Sequence, residues 1–313
     1  MNSLWICLNA ILPIFIIVAA GYAAKRAGMI RETEVSRMNA VAFKAFMPVM
    51  CFYNVYTSDL SSAVRPRLMI FTVCAILAVF GLSLAYAARF VDARERRGVV
   101  VQGIYRSNFL ILGLPFVGGL VGEGGDIGVT AMMGAIVAPT FNVLAVITLE
   151  SYNGKKASVR KLLLDILKNP LIIGSVLGLL CLVFDVKLPA PLETAARDMG
   201  RAASPLMLFL LGAFFRFSGA REHAKELAAV CLGRLVLAPA LVLSVAVACG
   251  FRGIELVTLL AIFASSAAVA SFTMAEQMGG DAALAGDIVV MTSAFASLTL
   301  FCWSFLFKSL NLC

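Results

Sequence analysis

Ten apolar stretches, each about long enough to cross a lipid bilayer, fill almost the whole of this sequence. They run near 4–24, 37–57, 68–88, 98–120, 127–149, 169–185, 192–217, 227–250, 254–276 and 283–307. A hydrocarbon core of about 30 Å takes about 20 apolar residues of helix. Lipid offers no water to satisfy main-chain groups, so a spanning chain must be helical or a closed barrel. With 61% hydrophobic residues among 313, a soluble domain would leave too much apolar surface facing water. The expected fold class is an all-α membrane protein with ten transmembrane helices.

The second five stretches echo the first five. Pro13 with Gly21 recurs 157 residues later as Pro170 with Gly178, and Pro48-Val49-Met50-Cys51-Phe52 recurs at the same offset as Pro205-Leu206-Met207-Leu208-Phe209. Later on, Gly-Gly-Asp at 124–126 recurs at 279–281 and Gly-Asp-Ile at 125–127 recurs at 286–288, two registers of which only one can hold. Five crossings per unit is an odd number, so the second unit enters from the opposite side. That arrangement is an inverted-topology repeat, an architecture of secondary transporters. The expected organisation is a first five-helix repeat over 1–150, a cytoplasmic connection over 151–168 and a second repeat over 169–313. In the connection, residues 158–168 place Val159, Leu162, Leu163, Ile166 and Leu167 on one helical face after Ser158 as N-cap, the pattern of a short interfacial helix.

Charge location sets the expected orientation. Of the 26 Lys and Arg, sixteen fall in the connections 1–2, 3–4, 5–6 and 7–8, seven on the other side and three inside spans. Basic connections stay cytoplasmic, so both termini are expected on the outer side of a cell (inner) membrane. The net charge of +8 is thus a topology signal and not a nucleic-acid footprint. Only Met1-Asn2-Ser3 precede the first span, without the basic region or cleavage site of a signal peptide. Eight cysteines include no CxxC pair, which argues for packing over metal or redox work; no metal or other cofactor is expected.

Interrupted helices are tolerated in lipid only where they line a cavity or are buried in protein. The fourth stretch carries the clearest break: Asn108, Gly113 and Pro115 in Arg106-Ser107-Asn108-Phe109-Leu110-Ile111-Leu112-Gly113-Leu114-Pro115. Proline removes one N–H and clashes with the preceding turn, glycine permits unwinding, and Asn108 can bond freed groups, a ligand or a neighbouring helix. Asn142, three residues after Pro139, either lines the same cavity or bonds another helix. Lys44, Arg106 and Arg234 lie inside apolar segments, where charges are costly and face cavities or partners. Arg106 and Arg234 are close enough to span ends to serve as anchors. Glu150, Asp185, Glu276 and Asp287 lie near span ends, where capping or interfacial hydration accounts for them. The single histidine, His223, falls in a basic loop, which argues against a histidine proton relay.

Several of these motifs resemble the auxin efflux carrier (membrane transport protein) family, in its compact bacterial form. The fourth stretch, with Asn108, then aromatic and apolar residues, then Gly113-Leu114-Pro115, is similar to the family's fourth span. Leu12-Pro13-Ile14-Phe15 through Gly21-Tyr22 and Lys25-Arg26-Ala27-Gly28 is similar to its start. Met38-Asn39 leading to Phe46-Met47-Pro48, and Ala270-Ser271-Phe272-Thr273-Met274-Ala275-Glu276-Gln277 with Gly280-Asp281, match it further. The likeness covers essentially the whole chain. The family's ninth span usually carries a proline before its small residues and an Asn before the Phe. Here the run is Ser265-Ser266-Ala267-Ala268-Val269-Ala270-Ser271-Phe272, with no proline and Ser271 in the Asn place.

The resemblance implies a scaffold of spans 1, 2, 6 and 7, and a transport domain of spans 3–5 and 8–10 in which broken helices 4 and 9 cross near the midplane. Half-helix N-termini at such a crossing suit an anion. The expected function is secondary active transport of a small organic anion, a dicarboxylate such as malate or malonate or an auxin-like acid. Asn108, Gly113, Pro115, Ser266, Ser271, Lys44 and Asn142 are the expected substrate-binding residues. A sodium-coupled symporter of the bile-acid type is the alternative, though few carboxylates lie mid-span. Enzymatic activity is not expected, since no HExxH, GxSxG or buried aspartate pair occurs. The expected partners are the substrate anion and the lipid bilayer, with a homodimer left open and no nucleic acid.

Overall fold

In the computed structural model, residues 3–57, 65–121, 127–152, 167–215, 222–310 and 312 are described, with side chains from residue 12 onward. The segment expected to form an interfacial helix lies almost entirely outside them. Apart from one isolated bridge, every regular element among the described residues is helical. Four continuous helices are long and apolar enough to cross a membrane: Pro66–Phe90, Gly128–Tyr152, Ala224–Ala248 and Ala282–Ser309. Each has 25 residues or more, so at about 1.5 Å per residue it exceeds the hydrocarbon thickness.

The elements run as follows. α1 is Ser3–Arg26. α2 (Glu32–Val41) passes through a π-turn at Ala42–Phe46 into α3 (Met47–Tyr56). α4 is Pro66–Phe90. α5 (Arg94–Tyr105) stops, and after three non-helical residues a π-turn at Phe109–Gly113 leads into α6 (Leu114–Val121). α7 is Gly128–Tyr152, α8 is Pro170–Val183 and α9 is Ala190–Phe214. α10 (Ala224–Leu232) passes through a π-turn at Gly233–Leu237 into α11 (Ala238–Ala248). α12 (Gly253–Ala264) stops, and α13 (Ala270–Met278) follows. α14 is Ala282–Ser309.

Local chemistry explains many of these boundaries. Prolines at the first helical position open α4 and α8, where the missing N–H costs nothing. The Asn169 side chain caps α8 by accepting from the Leu171 N–H at 3.0 Å. α13 ends on Gly279 in the left-handed conformation, φ 79°, a conformation that favours glycine. Asp281 then caps α14 through the Leu284 N–H at 2.9 Å.

α1 packs along α9, and α3 packs along α8 and α9. These contacts bring backbone against backbone. A Cβ placed on Gly21 would overlap the Phe209 carbonyl, and one on Gly178 would overlap the Phe52 carbonyl. Only glycine permits such an approach, the packing mode of small residues in membrane helices. The two contacts also correspond: adding 157 to Gly21 and Phe52 gives Gly178 and Phe209. Against this group lie the remaining helices, with α5 between α4, α7 and α14, and α12 between α7, α11 and α14.

Candidate functional site

The two interrupted helices meet where they are interrupted. Ser107 and Ala267 form an antiparallel bridge. The Asn108 N–H donates to the Ser266 carbonyl at 2.8 Å, and the Ala268 N–H donates to the Arg106 carbonyl at 3.2 Å. A third donor, the Ala267 N–H, is held by the Thr292 hydroxyl of α14 at 3.1 Å. The fourth apolar stretch therefore breaks at 106–108, seven to nine residues before Pro115. Pro115 follows the π-turn as the second residue of α6. Helix nine breaks between Ala264 and Ala270 without any proline.

Stopping α5 and α12 orphans their last carbonyls. Arg234, on the π-turn between α10 and α11, is 0% exposed and accounts for them. Its guanidinium donates to Ile104 and Tyr105 at the end of α5 (3.2 and 3.0 Å), and to Ile262 and Ser265 at the end of α12 (2.7 and 2.9 Å). Positive charge belongs at helix C-termini, so Arg234 is the cap of the crossing rather than an interfacial anchor.

A cavity of about 330 Å³ lies on the other side of the crossing, between α3, α7, α9 and the 106–111 segment. Arg106, Asn108 and Asn142 line it together with Cys51, Ser175 and Arg201. Arg106 is only 4% exposed and reaches no membrane interface. It donates to Asn142 Oδ1 at 2.7 Å, Gln102 Oε1 at 3.1 Å and Met274 Sδ at 2.8 Å, while Asn142 Nδ2 donates to Cys51 Sγ at 3.1 Å. No ion pair to Arg106 forms among the described residues, and no Asp or Glu lines the cavity. The Asn108 side chain does not cap the helix it precedes. Its Nδ2, together with Oγ of Ser107, Ser266 and Ser271, is buried without a partner. Buried polar groups are ordinarily satisfied; of these four, Ser107 and Asn108 lie in the cavity lining, and Ser266 and Ser271 lie at the crossing outside it.

The expected site residues divide accordingly. Asn108 and Asn142 line the cavity. Ser266 and Ser271 are buried at the crossing, just outside the lining. Gly113 packs against the Ala261 carbonyl, where a Cβ would lie 2.9 Å from the oxygen. Pro115 and Lys44 are exposed and do not line the cavity. Arg201, also exposed, stands at the cavity edge with Ser204 and was not anticipated. The signal was present, because Arg201 lies four residues before Pro205 as Lys44 lies four before Pro48, and the two are 157 apart. At the opposite end of α13, Glu276 accepts from Ser36 (2.6 Å) and Asn39 of α2, a tie between helices and not a helix-end solvation.

Comparison with known proteins identifies the family. The sequence profile of the membrane transport protein family matches residues 6–304, and the chain belongs to that family. It is similar to an uncharacterized transporter of Methanothermobacter thermautotrophicus, 24% identical over 309 residues, covering 95% of this chain and 97% of the relative. It is also similar to an uncharacterized transporter of Methanocaldococcus jannaschii, 22% identical over 310 residues, covering 96% and 98%. The chain is thus an integral membrane protein of a transporter family.

Proposed function

We propose that this member of the membrane transport protein family is a secondary active transporter that moves a small organic anion across the cytoplasmic membrane by alternating access. The observation that carries the anion is Arg106. A buried cation is costly unless paired, and this one faces a cavity without carboxylates. Beside it stand the unpartnered Asn108 amide and the first N–H groups of the helix that begins at Phe109, the positive end of a dipole. A carboxylate seated there satisfies all three. Guanidinium geometry favours such bidentate recognition.

The reading includes ten spans in two inverted repeats of five. The corresponding Gly21–Phe209 and Gly178–Phe52 contacts support it. So does the crossing, whose two hydrogen bonds exchange when 106 and 108 are paired with 266 and 268. Spans 1, 2, 6 and 7 form the scaffold, and spans 3–5 and 8–10 the moving bundle. With the basic connections inside, the cavity opens outward past Tyr53, Thr57 and Arg201, and the Ser36–Asn39–Glu276 tie closes the inner side.

In that scheme Lys44 is the inner counterpart of Arg201. It lies outside the cavity in this outward-open arrangement and lines the vestibule once the bundle has moved. The test is uptake of labelled malate, malonate and an indole carboxylate by proteoliposomes, in sodium and in sodium-free buffer. Transport of at least one carboxylate without sodium is expected. Intact protein that moves none of them refutes the reading, and strict sodium dependence favours the bile-acid-type alternative.

A further inference from the structure

A second polar cavity, of about 450 Å³, lies at the end of the bundle remote from Arg201, where α5, α10 and α14 begin. The charged groups lining it are Glu32 of α2, Arg96 of α5, Glu222 and His223 before α10, and Asp281 and Asp287 at the start of α14. Arg96 holds three of the carboxylates on this side, Asp281 at 3.1 Å, Glu226 at 3.2 Å and Glu222 at 3.9 Å. The Asp281 N–H donates to the Glu95 carbonyl, tying α14 to the first turn of α5.

The chain's one histidine is not a solvated loop residue. His223 is 4% exposed and Asp287 is 3% exposed. Nδ1 of the ring lies 2.9 Å from an Asp287 carboxylate oxygen, and Nε2 lies 3.8 Å from an Asp281 carboxylate oxygen. No three acidic, histidine or cysteine side chains among the described residues converge closely enough to hold a metal ion.

We propose that His223 and Asp287 form a proton-binding pair, and that its proton is coupled to movement of the anion. In the empty pair, neutral His223 donates its Nδ1–H to the Asp287 carboxylate, and the Nε2 lone pair faces Asp281. A hydronium in the cavity transfers its proton to Nε2 and leaves as water. The ring then becomes an imidazolium lying between two carboxylates, and release reverses the step. Histidine is the side chain suited to load and unload at cellular pH, and a coupled pair of this kind titrates as a unit.

Two rigid elements connect the pair to the crossing. α14 carries Asp287 and, five residues on, Thr292, whose hydroxyl holds the Ala267 N–H. α5 carries Arg96 in its first turn and delivers Arg106 to the cavity at its end. Loading the proton tightens the attachment of His223 to α14 and so favours one packing of these helix starts over another. That is the differential affinity any coupled transition needs. A proton entering at Nε2, on the Asp281 side, offsets one negative charge of the anion entering beside Arg106.

The inference extends the transport reading, but its first test stands apart from it. In protein labelled with 15N-histidine and held in lipid nanodiscs, one ring gives all the signal. Over about pH 5–8, Nε2 is expected to gain a proton as pH falls, and Asp281→Asn is expected to lower its proton affinity about tenfold. A ring that keeps one protonation state throughout, or titrates identically in Asp281→Asn, overturns the site. In proteoliposomes containing a pH dye, malate movement by the wild type should carry protons. Malate movement by His223→Gln should proceed without a pH change. Malate movement without protons in the wild type overturns the coupling. A wild type that moves no malate counts against the transport reading, and the ring titration then decides the proton site alone.

Discussion

Two arginines are buried on opposite sides of one crossing, and their acceptors differ in kind. Arg234 gives its N–H groups to four main-chain carbonyls at the ends of α5 and α12. Arg106 gives three to neutral side chains and stands beside the cavity, although a guanidinium has five to offer. Neither pairs with a carboxylate among the described residues, so charge alone does not distinguish them. The acceptors do. Carbonyls that nothing else reaches make Arg234 part of the fold, whereas neutral partners leave Arg106 with charge to spare for a ligand.

The contrast is sharpest in the alanine variants. Arg234→Ala strips four buried carbonyls of their donor, at about 1–3 kcal/mol each. Loss of monodisperse protein and a large fall in melting temperature in detergent are expected. Arg234→Lys should recover only part, since an ammonium is a compact charge that cannot fork across two helix ends. A lysine variant as stable as the wild type would break the comparison.

Arg106→Ala should leave the melting temperature nearly unchanged and weaken anion binding about 30-fold or more, the range for removing one member of a buried charge pair. Unfolding of this variant, or undiminished anion binding, would place Arg106 in the same class as Arg234. Asn108→Ala, with a single amide removed, should reduce transport about 5- to 10-fold at normal expression. Unaltered flux would take Asn108 out of the site.

The smallest effects are expected at the vestibules, where water screens charge. Arg201→Ala should weaken binding a few-fold, by about 1 kcal/mol or less, when the anion is offered from the outer side. Lys44→Ala should do so from the inner side, and Lys44→Arg should retain most of the affinity. Sided assays in oriented vesicles read the difference, and equal effects of Lys44→Ala and Lys44→Arg would assign Lys44 a structural role.

Much of this was legible before any coordinates. The apolar stretches coincide with helices, two of them interrupted, because helix satisfies main chain locally where lipid supplies no partner. The 157-residue offset singled out Gly21, Gly178, Phe52 and Phe209, and these make the backbone contacts between α1, α9, α3 and α8. Asn108 and Asn142 were visible as amides in apolar runs, and both line the cavity. Arg201 was overlooked although the same offset pairs it with Lys44. For His223 the local pattern points the wrong way, because flanking Lys and Arg suggest a solvated loop, whereas the ring is buried against Asp287, 64 positions away.

The break in the ninth span shows most plainly where the sequence stops. Ser265 to Val269 contain no proline and no glycine, and nothing local forbids a helix. What unwinds them is distant: Asn108 donating to Ser266, Thr292 accepting from Ala267, and Arg234 taking the carbonyls of Ile262 and Ser265. Apolar length, basic loops and proline positions act within a few residues or against a uniform solvent, so the sequence by itself specifies its helices. An unwound main chain in lipid survives only if partners from several helices supply its hydrogen bonds. Tertiary structure alone therefore decided where the two broken helices meet, and which arginine they leave facing the cavity.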